Sequence, residues 1–200
     1  MKTKFEFVTN NWRLVKNACR TTVGKQFTEK EPSNEFKKKL LISEHSPIRL
    51  LEFYWHWESV KYWVAMEWAR HKNEKFITSS RNDRQNMFDR NKAPQDAPVN
   101  FDGYANMQNL IDAWRKRLCY QATKEARELA EDFKSELANT NKAESDVLVP
   151  NCIYRCGCPE IKPCGLFIKF ADYCKEHNVD MFDIQQRYDA YNTFIGEKKC

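Results

Sequence analysis

Short alternating aromatic and branched runs, helical-period stretches in no regular strand-helix-strand order, and helical patterns closing the chain predict an α+β fold. The expected architecture is a mixed or antiparallel sheet flanked by helices, with a long central helix and a helical C-terminal region. Two hundred residues suffice for one substantial core and an appended module. The expected division is residues 1–145 as the main domain and 146–200 as a cysteine-containing helical extension packed on it. Aromatics at 14%, with six tryptophans, exclude a disordered chain.

Each element has a local reason. Residues 4–8 alternate Lys-Phe-Glu-Phe-Val and read as a strand with Phe5 and Phe7 inward. Asn10 or Asn11 caps a helix carrying Trp12, Val15 and Cys19, which Gly24 stops. Residues 25–34 are a polar loop, and Asn34 caps a short helix through Phe36, Leu40 and Leu41. Pro47 breaks the pattern, and residues 48–57 read as a central strand. Ser59 caps a helix over 60–69 with almost no polar face, buried in this chain or against another subunit. Residues 74–80 form a strand, and 82–101, rich in Asn, Asp and Pro, read as a long loop of the kind that closes over ligands. Residues 104–139 carry the clearest helical stripe in the chain. At about 100° per residue, Asn106 and Arg117 fall within roughly 20° of each other, about three turns apart, on its flank. A polar linker at 140–145 precedes helices at 166–176 and 181–194.

Charge and hydropathy narrow the function classes. Thirty-three basic against 28 acidic residues give a net charge of +5 on a mixed surface, so no nucleic acid polymer is expected. No apolar run approaches membrane-spanning length and the first residues lack a signal-peptide pattern, so the expectation is a cytoplasmic protein without membrane contact. Only five glycines are present and no Gly-x-Gly-x-x-Gly follows a strand, which excludes a Rossmann turn. Any dinucleotide must be held by side chains.

The stretch Trp68-Ala69-Arg70-His71-Lys72-Asn73-Glu74-Lys75-Phe76-Ile77-Thr78-Ser79-Ser80-Arg81 offers such side chains. A cationic triplet ends one helix, and hydroxyls with an arginine end the next strand, a pattern suited to a phosphorylated ligand. Arg70, His71 and Lys72 also suit a helix C-terminus, where cations meet the macrodipole, and His71 also reads as a packing histidine. The order of residues resembles the signature of flavin-dependent thymidylate synthases: Arg-His-Arg, a short spacer, then Ser-any-Arg. Here it stands as Arg70-His71-Lys72 and Ser79-Ser80-Arg81, with Glu44-His45 upstream and Asn106 followed eleven positions later by Arg117. The matched region covers roughly residues 44–127. The chain departs from the signature at Lys72, which lacks arginine's bidentate fork, and at Phe76-Ile77 or Ile77-Thr78, where the family has Asn-Glu.

The resemblance implies FAD gripped by Arg70, His71 and Lys72 at an interface of a homotetramer, with Asn106 near the flavin or base. It implies Ser79, Arg81 and Arg117 on a dUMP-like nucleotide, Ser79 and Arg117 being the catalytic pair. The implied reaction is reductive methylation of dUMP to dTMP, with methylenetetrahydrofolate and NADPH as co-substrates. The alternatives are a related flavin-dependent enzyme acting on another pyrimidine nucleotide, or a non-catalytic nucleotide- or flavin-binding protein.

Eight cysteines in such a chain point to reduced thiols or metal ligation before a disulfide framework. Cys152, Cys156, Cys158 and Cys164 lie within thirteen residues and make a candidate zinc set, although paired Cys-x2-Cys spacing is absent. Reduced packing cysteines and a redox thiol are the other readings.

Overall fold

The structure, a computed structural model, describes residues 2–71, 75–81, 84 and 89–197. Its strands are β1 (Lys4–Val8), β2 (Glu52–Lys61), β3 (Lys75–Thr78) and β4 (Pro98–Asn106). They form one antiparallel sheet in the order β1-β2-β4-β3. The helices are α1 (Trp12–Thr21), α2 (Asn34–Ile42), α3 (Tyr62–Trp68), α4 (Met107–Arg117), α5 (Lys124–Ala138), α6 (Lys142–Asp146), α7 (Asn151–Tyr154), α8 (Leu166–Glu176) and α9 (Ile184–Glu197). This is the α+β fold the patterning predicts. No helix among the described residues is long and apolar enough to cross a membrane.

One face of the sheet carries the core. Phe53, Trp55 and Trp57 of β2 and Phe101 and Ala105 of β4 are buried at alternate positions, while Tyr54, His56, Asp102 and Tyr104 line the other face. Trp55 is the hub. Its ring meets Trp57, Phe76, Trp114 and Phe133 at centroid separations of 5.7, 6.4, 5.9 and 5.1 Å, all edge-on. Phe5 joins this cluster through Phe133; the expected inward side chain of Phe7 lies outside the described part.

Several elements differ from the sequence expectation. Residues 98–106, expected partly as loop, form β4, because Val99, Phe101, Gly103 and Ala105 alternate inward between the Asn, Asp and Pro positions that suggest a turn. The expected helix over 104–139 is the end of β4 followed by a helical hairpin. Trp114 donates its indole N–H to the Ala130 carbonyl at 3.0 Å, whereas sixteen residues of continuous helix span about 24 Å. Both limbs turn their apolar faces to the same core, so the stripe runs on unbroken through the turn. Ser59 caps no helix; it sits in a β2 bulge with φ +55°, its N–H on the Asn100 side chain. Residues 46–50 form a 3-10 turn opened by Pro47, so the central strand starts at Glu52. Ser33, one residue before the expected Asn34, caps α2, while Asn11 caps α1 as expected.

The expected linker at 140–145 instead leads into α6, which is polar because it fills a buried hydrogen-bonded layer. Glu144 accepts the Trp12 indole N–H at 2.8 Å, and Ser145 donates to the Lys134 carbonyl at 2.8 Å. Lys134 in turn donates to the carbonyls of Ser145 and Leu148. Residues from Trp12 to Phe194 share one core, and the C-terminal segment joins it through α7 and α9.

Gly103 faces Trp55 so closely that a Cβ there would stand 2.1 Å from the indole Cζ2, and the ring is wedged on every side. Gly103→Ala should therefore destabilise the fold by roughly 1–3 kcal/mol or more, read as a lowered denaturant midpoint. An unchanged midpoint would contradict this packing.

Candidate functional site

The site begins where α3 ends. The backbone N–H of His71 donates to the Trp68 carbonyl at 3.2 Å, which closes the helix and places the imidazole against the Trp68 ring. Arg117, the last residue of α4, reaches the same ring, its guanidinium carbon 5.7 Å from the ring centre. Its Nε–H donates to His71 Nε2 at 2.8 Å. One terminal nitrogen donates to the Glu67 carboxylate at 3.4 Å and the other to the Glu67 carbonyl, a group left open at the end of α3. Thr123, just before α5, donates its hydroxyl to the same carboxylate at 3.0 Å. The Arg117 side chain is only 15% exposed and that of Glu67 22%, so this pair is shielded rather than a loose surface contact.

These bonds settle the state of His71. Because Nε2 accepts from Arg117, the neutral ring carries its proton on Nδ1. Burial first, and the Arg117 charge second, hold the imidazole pKa down at about 4. At neutral pH the ring is an uncharged donor through Nδ1.

The remaining motif residues are distributed around this pair. Arg70 is exposed beside it, and Lys72 lies outside the described residues. Ser79 and Arg81 follow β3, whereas His71 precedes it, so the two halves of the motif are separated by the length of that strand. Ser79 extends the β3-β4 ladder: its N–H donates to the Asn100 carbonyl at 3.0 Å, and its hydroxyl oxygen accepts the Asn100 N–H at 2.8 Å, leaving the hydroxyl proton to donate. Arg81 is exposed, and its carbonyl accepts from Arg84.

Asn106 and Arg117 stand at the two ends of α4. Asn106 ends β4 and caps α4, accepting the Asn109 N–H at 3.1 Å, while Arg117 lies about 16 Å away along the helix axis. Upstream, Glu44 has φ +49° and is held by Arg115 and by Gln108 at 2.7 Å, whereas His45 is exposed. Glu67 and Thr123 were not predictable as site residues from the motif. The first carries a faint signal, standing one helical turn before His71; the second enters only because the α4-α5 hairpin folds it back.

The candidate four-cysteine set does not stand as a metal centre: among the described residues no three ligand-type side chains are arranged to hold a metal ion. The thiol of Cys156 donates to the Met181 carbonyl at 3.5 Å. No disulfide joins the described cysteines.

No protein-family profile and no curated protein matches the chain. Solved structures do. The flavin-dependent thymidylate synthase ThyX from Helicobacter pylori, complexed with FAD and dUMP, superposes with a TM-score of 0.59 at 13% identity, covering 74% of this chain and 100% of that one. Thymidylate synthase X from the same organism, with FAD and dUMP at 2.31 Å resolution, gives 0.58 at 14% identity, covering 74% and 99%. With the sheet, the α3 corner and the α4 arginine already in hand, the chain has the ThyX-like fold.

Proposed function

We propose that the chain is a flavin-dependent thymidylate synthase, an FAD-dependent methyltransferase of nucleotide biosynthesis that converts dUMP to dTMP. The observation that carries this reading is the hydrogen bond from Arg117 to His71: two residues singled out by the motif, 46 positions apart, meet over one tryptophan.

The donor set fits the implied ligands. FAD and dUMP present phosphate and carbonyl oxygens, all acceptors. The chain offers the exposed Arg70 guanidinium, the Nδ1–H of a neutral His71, the Ser79 hydroxyl proton, and the guanidinium groups of Arg81 and Arg117. In this reading Arg70, His71, Lys72 and Asn106 hold FAD, and Ser79, Arg81 and Arg117 hold the nucleotide, Ser79 and Arg117 lying against the reacting base. Bound FAD, reduced by NADPH, supplies the hydride that completes the methyl group delivered from methylenetetrahydrofolate. Glu67 and Thr123 act on Arg117, fixing its rotamer before the nucleotide arrives. Because β3 separates the two halves of the motif within one chain, a complete site is expected to draw on more than one copy, in keeping with a homotetramer.

Purified protein incubated with FAD should gain flavin absorbance, and dUMP titration should perturb it. Arg117→Ala should weaken dUMP binding roughly tenfold or more while leaving FAD binding within about threefold. Equal losses accompanied by a lowered unfolding midpoint would assign Arg117 a folding role, and a protein that takes up no FAD would overturn the proposal.

His71 gives a second prediction with a definite sign. Its folded pKa, about 4, lies below the ordinary 6.5, so the stability it contributes is complete above pH 6.5 and lost as pH falls toward 4. The stability difference between wild type and His71→Asn should shrink by about 1–2 kcal/mol across that window, allowing for solvent screening. Denaturant titrations at the two ends measure it, and a constant difference would exclude a neutral His71 held by Arg117.

A further inference from the structure

We propose that the cavity between α5, α6 and α9 is a binding site for a small uncharged ring with a lactam edge, a carbonyl beside an N–H. The cavity has a volume of about 340 Å³, within the range that holds small organic ligands. Among the described residues its walls include neither Arg117 nor His71, so it is separate from the corner where those two meet.

Bonds between the walls themselves make the frame. Lys134 of α5 donates to the Ser145 and Leu148 carbonyls at 2.6 and 2.9 Å, and the Ser145 hydroxyl donates back to the Lys134 carbonyl at 2.8 Å. From α9, the Asn192 amide donates to the Asp146 carbonyl at 3.0 Å. The helices are thereby tied together before a guest arrives, which lowers the ordering cost of binding. Charge at the walls is also matched from within. Lys142 holds Asp146 at 2.7 Å, Arg127 holds Glu131 at 3.6 Å, and the Lys134 ammonium faces its two carbonyls. A charged guest would have to break one of these pairings, whereas an uncharged one leaves them intact.

Two polar atoms on neighbouring residues of α9, both lining the cavity, are left over. Asn192 must offer its nitrogen to the Asp146 carbonyl, which only accepts, so Oδ1 is the buried atom that lacks a donor among the described residues. Tyr191 is 3% exposed, and its hydroxyl makes no hydrogen bond among the described residues. Burial pushes this phenol well above its ordinary range, so it stays protonated and able to donate. An orphaned acceptor beside an orphaned donor is costly inside a protein, and a guest presenting the reverse pair relieves both. A lactam presents that pair, its N–H toward Asn192 Oδ1 and its carbonyl toward the Tyr191 hydroxyl. Around them the Tyr120 and Tyr191 rings, with Leu118, Ala138 and Ile195, supply apolar surface for a flat body.

The test is a calorimetric titration of the full chain with hypoxanthine, a bicyclic lactam. Saturable, stoichiometric binding is expected, and Arg117→Ala should retain it. 1-Methylhypoxanthine, in which the N–H of the edge is blocked, should bind at least about tenfold more weakly. Tyr191→Phe should weaken hypoxanthine binding by about the same factor while keeping the wild-type unfolding midpoint, because no bond within the chain is lost. Ala138→Phe, at the half-buried end of α5, should fill the cavity and abolish binding. A chain that takes up no hypoxanthine and holds only water there, binding that Arg117→Ala abolishes, or equal affinity for the two purinones would each overturn the proposal.

Discussion

The contact between the Trp55 indole and the bare backbone of Gly103 governs much of what surrounds it. It sets β4 against β2, leaves room for a large ring in the middle of the sheet, and gives Trp114 and Phe133 a surface to pack on. Through Trp114 the contact orients α4, and α4 ends in Arg117. Trp68 packs at a tilt against Trp114 at 4.9 Å and Trp57 at 5.0 Å, so the corner of α3 is referred to the same aromatic framework. The meeting of Arg117 with His71 is thus built on a rigid core, and the polar groups only finish what the rings align.

That arrangement separates two jobs within one arginine. Inward, its donors reach His71 and both oxygen types of Glu67, which hold the side chain in one orientation. A shielded guanidinium with a paired carboxylate keeps its own desolvation modest while staying charged. His71, uncharged, adds a donor without adding a second positive charge against Arg117.

The sequence made legible what depends on local order. The strand at residues 4–8, the helices at 12–21 and 166–176, and the Arg70-His71 corner follow from alternation, capping and charge, and all are present. What escaped reading depends on long-range packing. β4 hides because its inward positions include Gly103 and Ala105, which carry no hydrophobic signal yet are needed where Trp55 intrudes. The α4-α5 turn hides because both helices face one core, so the apolar stripe crosses the turn unbroken. α6 hides because its buried side chains are polar and find their partners on α1 and α5.

The buried polar layer also bears on the order of events during synthesis. Thr3 bonds Asp132 through both its amide and its hydroxyl, and Trp12 reaches Glu144. The N-terminal strand and first helix therefore wait until more than half the polypeptide has left the ribosome before their buried donors are satisfied. Until then the Trp12 indole lacks its native acceptor, so the nascent chain is exposed to off-pathway association in the interval before Glu144 emerges.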